Sequence, residues 1–290
     1  MKYDTWPPTI QLTDDFYARH WEKGPVLLRD ADPTAFESVF TRESFDGLLQ
    51  YGALRSGFVT VINGGRPVPD ELLCREEEVG GRVHDDLVDP ASIAQHLDSG
   101  ATVILAGLQL LDRSVAELGQ RLSADVGRRT EAHAFLTPPH IGGLARHFDG
   151  EDNFLLQLEG TKHWVLSPPL SDRLPVSGGH PPAGHPADER DVVTVDLRPG
   201  DLLYIPRGWL HASSTMDTAS LHVTFQVLPD TARNVIEERV RRILLDAVSV
   251  DEAVPRPGSS ALVGFAEQIR RTARGLEEWA QEVDQAAAGS

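Results

Sequence analysis

The sequence predicts a mainly β fold with flanking helices, followed by a C-terminal helical region. Between residues 131 and 228, short apolar runs alternate with Gly- and Pro-containing turns, which is typical of antiparallel β structure. After Pro229 the apolar residues recur at helical spacing instead. A chain of 290 residues suffices for one main domain with a small addition. We therefore assign residues 1–228 to the main domain and 229–290 to a helical region.

The N-terminal part is expected to mix helices and strands. Residues 14–55 show short helical patterns, and residues 113–125 carry apolar side chains at the spacing of an amphipathic helix. Residues 66–100 hold acidic and turn-forming residues, with a helix expected at 90–99. Short β-branched or apolar runs predict strands at 25–29, 57–63 and 102–105.

The β region is predicted to contain six strands joined mostly by tight turns. The turns are expected at 159–160 and 198–201, while the Pro/Gly-rich segment 168–191 is long enough to indicate a functional loop. The strands are expected at 132–136, 154–158, 163–167, 192–197, 202–205 and 221–227.

Composition excludes several classes of function. The chain has 44 acidic and 27 basic residues, and a net charge of −17 disfavours a nucleic-acid partner. Its single cysteine, Cys74, excludes an intrachain disulfide and a Cys-rich metal site. No apolar stretch has the length needed to span a membrane, and residues 1–4 do not resemble the start of a signal peptide. We therefore expect a cytoplasmic protein.

Three residues stand out as candidate metal ligands and hence as the catalytic centre. On an extended segment His147 and Asp149 face the same side, and His211 follows an apolar strand and a Pro/Gly bend. Two imidazoles and one carboxylate on one face of an octahedron are typical of non-haem Fe(II) oxygenases. Mn(II), Co(II) or Ni(II) in the same ligands, and histidines that merely pack, are the alternatives.

Beyond these ligands, the chain resembles the JmjC-type ribosomal oxygenases and their bacterial relatives in the cupin superfamily. The resemblance covers residues of about 15–228. It implies a double-stranded β-helix (jelly-roll) fold, an Fe(II) centre, 2-oxoglutarate as cosubstrate and the consumption of O2 to hydroxylate a substrate. The segments that carry it are 16–25, 134–139, 147–149, 153–164 with its Gln-x-x-Gly-x-Lys-x-Trp string, and the run ending at His211.

The resemblance also implies cosubstrate-binding residues. By its position Lys162 would pair with the far carboxylate of 2-oxoglutarate, and it is one of only three lysines in the chain. Thr224 resembles a hydroxyl that contacts the same carboxylate, with Ser220 or His222 as alternatives. Relatives often carry asparagine and tyrosine where this chain has His133 and Phe135, so His133 is expected either to replace the asparagine toward cosubstrate or substrate, or simply to pack. The segment 150–153 also departs from the family pattern.

The expected function is therefore hydroxylation of a protein, peptide or amino-acid-derived substrate, with a basic substrate favoured by the acidic surface. The same chemistry also permits N-demethylation, and the sequence does not distinguish the two reactions. The alternative is a metal-binding cupin without 2-oxoglutarate turnover: an isomerase, another dioxygenase or a silent binding module. Larger relatives continue into a winged helix, and here residues 229–290 are expected to form a homodimer or to pack on the same chain's barrel.

The remaining histidines and tryptophans are expected to play lesser roles. His180 and His185 lie in the long loop, which offers no third fixed ligand for a second metal. The other residues, expected to pack or to lie on the surface, are His140, His163, His222, Trp164 and Trp209.

Overall fold

The computed structural model describes residues 12–29, 39–182, 192–247, 260 and 262–288. The chain divides into two compact units, Met1–Pro229 and Asp230–Ser290. None of the helices in these described ranges is long and apolar enough to cross a lipid bilayer.

The first unit is mainly β structure with short helices at its N-terminal side. Its helices are α1 (Asp14–Arg19), α2 (Arg42–Tyr51), α3 (Pro90–Asp98) and α4 (Arg113–Val126), with 3-10 turns at Ser56–Phe58, Asp70–Leu72 and Leu108–Leu110. Its strands are β1 (Val26–Leu28), β2 (Val59–Asn63), β3 (Arg66–Pro67), β4 (Cys74–Val79), β5 (Arg82–Val88), β6 (Thr102–Leu105), β7 (Thr130–Thr137), β8 (Asp152–Glu159), β9 (Lys162–Ser167), β10 (Val193–Leu197), β11 (Leu202–Ile205), β12 (Leu210–Thr215) and β13 (Ser220–Val227).

Two antiparallel sheets build the barrel. The larger sheet has the order β1-β11-β8-β13-β7-β6-β2-β3, and the smaller has the order β10-β9-β12. Leu155 of the larger sheet packs in one buried cluster with Trp164 and Leu166 of the smaller sheet. The central strands β8 and β13 are buried along almost their whole length; β8 contains the apolar run 154–156, whereas β13 alternates polar and apolar residues.

Helix α4 covers the outer side of the larger sheet. Asp112 caps its first turn by accepting a hydrogen bond from the backbone N–H of Val115, and Gly127 ends it in the left-handed conformation. Its face of Val115, Leu118 and Leu122 is buried. The amphipathic helix predicted from the sequence is therefore present in the structure.

The turn between β8 and β9 explains the Gln-x-x-Gly-x-Lys spacing. The side-chain amide of Gln157 donates hydrogen bonds to the carbonyls of Glu159 and Gly160 and to the hydroxyl of Ser220. Gly160 has a φ of 66°, and a Cβ there would lie 1.8 Å from the carbonyl oxygen of Ala219. Glutamine and glycine therefore shape the turn from which Lys162 begins β9.

Three strand regions of the structure were not predicted, one of which is the two-residue strand β3. The hairpin β4–β5 has both faces largely exposed, so it lacks the apolar alternation that marks a half-buried strand. Strand β12 continues from His211 into small polar residues, and its apolar content is low. Its pairing with β9 nevertheless sets Leu166 opposite His211 and Lys162 opposite Thr215.

The second unit is a pair of helices, α5 (Ala232–Ala247) and α6 (Leu262–Ala288). Arg239 of α5 forms an ion pair with Glu282 of α6 at 3.1 Å and lies over the ring of Trp279. Several apolar side chains of this unit are exposed, including Ile236 and Leu245 of α5. The sequence Pro-Arg-Pro-Gly at 255–258 predicts a break between the two helices, and these residues lie outside the described ranges.

Candidate metal centre

The structure brings the three predicted ligands together. His147 and Asp149 lie on the segment before β8, and His211 lies on β12. The backbones of His147 and His211 exchange two hydrogen bonds of 3.0 and 2.7 Å, which fixes the two segments side by side. Nε2 of His147 lies 3.6 Å from Oδ1 of Asp149, and Nε2 of His211 lies 3.4 Å from Oδ2. All three ligand atoms lie within 4.8 Å of one another, which is suitable for one metal ion.

Both imidazoles are held in the same way. Nδ1 of His147 lies 2.8 Å from the carbonyl oxygen of Ala145, and Nδ1 of His211 lies 2.9 Å from that of Trp209. Because a carbonyl oxygen only accepts, each Nδ1 must carry the proton. Each Nε2 then presents its lone pair to the centre, as a metal ligand requires.

Burial and charge set the protonation of this group. Burial, together with the neighbouring His211, lowers the pKa of His147 below its ordinary value, which favours the neutral ligand form. Burial alone would raise the pKa of Asp149, but the neighbouring imidazoles of His211 and His147 and the hydrogen bond from Asn153 bring it below its usual range. The site therefore presents a carboxylate and a neutral imidazole near neutral pH.

Part of the long loop lies against the metal-binding segment. Gly179 and Phe148 exchange two backbone hydrogen bonds of 2.9 Å. A Cβ on Gly150 would lie 2.4 Å from the backbone nitrogen of Ser177, so only glycine allows this approach. The loop brings the ring of His180 to 6.2 Å from that of His147, but His180 is exposed and is not part of the metal-ligand cluster. His185 lies outside the described residues.

A cavity of about 280 Å³ opens onto the three ligands. Its walls come from both sheets of the barrel, including strands β2 and β6 of the larger sheet. The residues that line it, besides the ligands, are Thr60, Ile104, Ala106, His133, Phe135, Leu144, Asn153, Leu155, Lys162, Trp164, Ile205, Ser213, His222, Thr224 and Gln226.

Lys162 is a fully buried cation in this cavity, with 1% of its surface exposed. Its ammonium donates a hydrogen bond to the hydroxyl of Thr137 at 3.2 Å. Within the described part of the chain, no carboxylate lies within ion-pair distance of it. Burial lowers the pKa of Lys162 to about 7. A small anion that entered the cavity would supply the missing counter-charge.

Trp164 lies between the lysine and the metal ligands. The β9–β12 register places Lys162 four residues from the level of His211, or about 13 Å along the strand. The ring of Trp164 lies 5.9 Å from that of His211, and the ammonium of Lys162 lies 5.7 Å from the Trp164 ring. The cavity therefore runs from the ligands past Trp164 to Lys162.

His222 belongs to the lysine end of the cavity. It stacks on Phe135 with ring centroids 4.7 Å apart and meets Trp164 edge to face. Burial and the charge of Lys162 hold the pKa of His222 well below its ordinary value, so its ring is neutral. The expectation that His222 and Trp164 only pack is therefore incomplete, because both line the cavity.

His133 and Thr224 line the same cavity at a distance from its lysine end. They lie opposite each other on β7 and β13, whereas Thr137, the partner of Lys162, lies four residues further along β7. That separation is about 13 Å. On its other side Thr224 pairs with Leu155, two residues from Asn153, whose side chain contacts Asp149, so His133 and Thr224 lie nearer to the metal ligands than Thr137 does. This placement favours a contact near the reacting centre over one with the lysine end.

Some residues in or beside the cavity were not singled out from the sequence. Thr137 meets Lys162 through the pairing of distant strands, whereas Asn153 reaches Asp149 from only four residues along the chain. Ser220, an alternative to Thr224, accepts a hydrogen bond from Gln157. Three cavity side chains, His133, Trp164 and His222, each keep one buried ring nitrogen without a hydrogen-bond partner in the described structure. Buried groups of this kind indicate a ligand or water.

The residues therefore fit a divalent metal together with a small dicarboxylate. The donor set of two imidazoles and one carboxylate suits Fe(II) and its neighbours in the first transition row. The ammonium of Lys162, which has no carboxylate partner among the described residues, and the unpaired indole N–H of Trp164 suit an anionic group in the same cavity.

Comparison with known proteins agrees with this site. Residues 110–235 match a family model described as a JmjC domain. Ribosomal oxygenase 1 of Gallus gallus is 30% identical over 227 residues, which cover 76% of this chain and 35% of that protein. The bifunctional lysine-specific demethylase and histidyl-hydroxylase NO66 of Aedes aegypti is 30% identical over 216 residues, covering 74% of this chain and 33% of that protein. The chain thus spans about a third of the length of these curated relatives.

A solved structure shows the same fold. The ribosomal oxygenase YcfD of Escherichia coli, in complex with cobalt and 2-oxoglutarate, matches with a TM-score of 0.55 at 18% identity, over 91% of this chain and 65% of that chain. The predicted JmjC-type double-stranded β-helix is confirmed. The chain carries a JmjC domain. It is homologous to the ribosomal oxygenases.

Proposed function

We propose that this chain is an Fe(II)- and 2-oxoglutarate-dependent oxygenase that hydroxylates a protein, peptide or amino-acid-derived substrate. The observation that carries the proposal is the buried, unpaired ammonium of Lys162 in the cavity that opens onto His147, Asp149 and His211. The names of the relatives support a protein substrate, and the cobalt and 2-oxoglutarate complex of YcfD supports the cosubstrate.

Each part of the cavity has a role in this proposal. When bound, the metal and 2-oxoglutarate would supply the activation of O2 needed to oxidise a C–H bond. The triad would hold the metal through two imidazole nitrogens and one carboxylate. Lys162 neutralises the far carboxylate, and Trp164 and His222 offer it polar ring atoms. Leu155 and Ile205 add apolar walls that limit the access of water.

The substrate is expected at the metal side of the cavity. His133 lies there on β7, and Thr224 lies level with it on β13. These side chains provide polar contacts away from the lysine end. The roles of His133 and Thr224 as cosubstrate contacts stay predictions. Their position along β7 and β13 favours a contact with the substrate instead.

The alternative is a metal-binding cupin that does not use 2-oxoglutarate. Such a protein needs no buried cation in its cavity, and an unpaired lysine there costs stability. The presence of Lys162 therefore favours the oxygenase. Demethylation of an N-methyl group would use the same residues and is decided by the substrate alone.

Visible absorption tests the proposed function. Under anaerobic conditions, Fe(II) followed by 2-oxoglutarate is expected to produce a charge-transfer band in the wild-type protein, because the cosubstrate chelates the metal held by the triad. His147→Ala is expected to give no band. A folded, iron-loaded wild-type protein without a band would contradict the proposal and bring the isomerase or silent-cupin alternative forward.

We also propose that residues 229–290 form a homodimer contact. Leu245 and Ile236 of α5 are 61% and 49% exposed, and dimer formation would cover such apolar side chains. Light scattering after size-exclusion chromatography is expected to give twice the chain mass, and Leu245→Lys to shift it toward one chain. Leu110→Lys, at a 73% exposed site of the first unit, serves as the control. A monomeric wild type would refute the proposal.

A further inference from the structure

Asn153 makes a contact with the metal centre that the proposed mechanism has not used. Its side chain is buried, with 3% exposure, and lines the cavity. The amide nitrogen Nδ2 donates a 2.7 Å hydrogen bond to Oδ2 of Asp149. Because a carboxylate oxygen only accepts, this contact fixes which end of the amide faces Asp149.

The contact matters most when the site is ready to bind metal. In that state both ligand imidazoles carry their protons on Nδ1, so neither Nε2 can donate to Asp149. Among the described side chains, Asn153 is then the hydrogen-bond donor to this carboxylate. His147 and His211 are each held by a backbone carbonyl, and Asn153 supplies the equivalent support for the third ligand.

Stability of the fold does not explain an amide at this position. Oδ1 of Asn153 is buried and has no hydrogen-bond partner in the described structure. Leaving a buried acceptor unpaired destabilises the folded state. A leucine would fill a similar volume without that cost. The amide is therefore expected at this position for what it does to Asp149.

We propose that Asn153 is a positioning residue that holds the carboxylate of Asp149 in the orientation needed to bind the metal. The proposal rests on the proposed function only in requiring a metal at the triad. Residues that orient metal ligands typically contribute 10–100-fold to metal affinity. The same loss is expected here when the donor is removed.

Co(II) titration of Asn153→Leu tests this role. We expect the variant to bind Co(II) 10–100-fold more weakly than the wild type and to show an altered Co(II) visible spectrum. Its metal-free melting temperature is expected to stay the same or rise, because the unpaired buried acceptor is removed. Gln226→Leu is the matched control, since Gln226 lies opposite Asn153 on β13 and lines the same cavity. It should bind Co(II) like the wild type.

The opposite pattern would overturn the proposal. If Asn153→Leu lowers the melting temperature while Co(II) affinity and spectrum stay unchanged, Asn153 has only a packing role. Asn153→Thr, a strand-compatible residue too short to reach Asp149, replaces leucine if that variant does not fold. The Co(II) titration contains no 2-oxoglutarate, so it tests Asn153 independently of the cosubstrate. A protein that binds Co(II) but not 2-oxoglutarate would refute the proposed function, and its Co(II) affinity would still test the role of Asn153. A wild type that binds no Co(II) would overturn both.

Discussion

Replacing Lys162 by methionine is expected to stabilise the metal-free protein and to abolish tight binding of 2-oxoglutarate. The pKa of Lys162 falls from 10.5 to about 7 on burial, so folding favours its neutral form. The free energy of unfolding of the wild type should therefore fall as the pH falls from about 10.5 to about 7, and this contribution should change little below pH 7. At pH 7 this penalty is on the order of 4 kcal/mol. Methionine removes the penalty and fills the same space.

The effect on the cosubstrate has the opposite sign. Removing one partner of a buried ion pair typically costs about 3–5 kcal/mol, which corresponds to a loss in affinity of more than 100-fold. Urea unfolding at pH 7 and pH 10 would give the stability difference, which should shrink at the higher pH. Titration of the metal-loaded proteins with 2-oxoglutarate would give the affinities.

Lys23→Met provides the control for both measurements. The ammonium of Lys23 contacts the carbonyl oxygens of Tyr17 and Ala18 at an exposed site. Lys23→Met should therefore neither raise the free energy of unfolding nor weaken the binding of 2-oxoglutarate. A Lys162→Met protein that is destabilised and still binds 2-oxoglutarate normally would show that this lysine is a packing residue. The assignment of the cavity to 2-oxoglutarate would then lose its anchor.

The sequence predicts the parts of this protein whose signals are local. The spacing of His147 and Asp149 places both side chains on one face of an extended segment, and the structure brings both beside His211. The apolar run of β8 and the alternating polar and apolar residues of β13 indicate strands. In each case the information lies within a few neighbouring residues, and the resemblance to a known family adds the order of the strands.

What the sequence does not predict depends on pairing between distant strands. Thr137 meets Lys162, and Asn153 faces Gln226, only because β7, β8 and β13 align in one register. The exposed hairpin β4–β5 is hidden for a different reason, since strands with solvent on both faces need no apolar alternation. The position of His133 along the cavity likewise depends on the strand register, which the residue type does not reveal.

These two classes of residue act together at the site. The local motif supplies the ligands, while the strand register supplies the environment that fixes their protonation. Burial keeps His147 neutral, and the same burial leaves Lys162 without a counter-charge. A single dry cavity therefore prepares one end for a metal cation and the other for an anion.

Replacing His211 by alanine is expected to abolish metal binding while leaving the barrel folded. Even residues that only orient a ligand contribute 10–100-fold to metal affinity, so loss of one of three ligands should cost more than 100-fold. The variant also leaves Asp149 without the neighbour that helps to lower its pKa, so that pKa should rise. The remaining pair would then compete less well against protons. Calorimetric titration with Co(II) or Mn(II) at pH 7 measures the affinity.

His163→Ala is the matched control, because His163 lies on the neighbouring strand β9, points away from the cavity and contacts Asp196 at 2.6 Å. It should keep wild-type metal affinity.

Competition between metal and protons gives a second check. The metal affinity of the wild type should fall at low pH. Because burial lowers the pKa of His147, this fall should begin below the ordinary histidine value of about 6.5. Wild-type affinity in His211→Ala, measured in a folded protein, would place the metal elsewhere and remove the basis for the oxygenase centre.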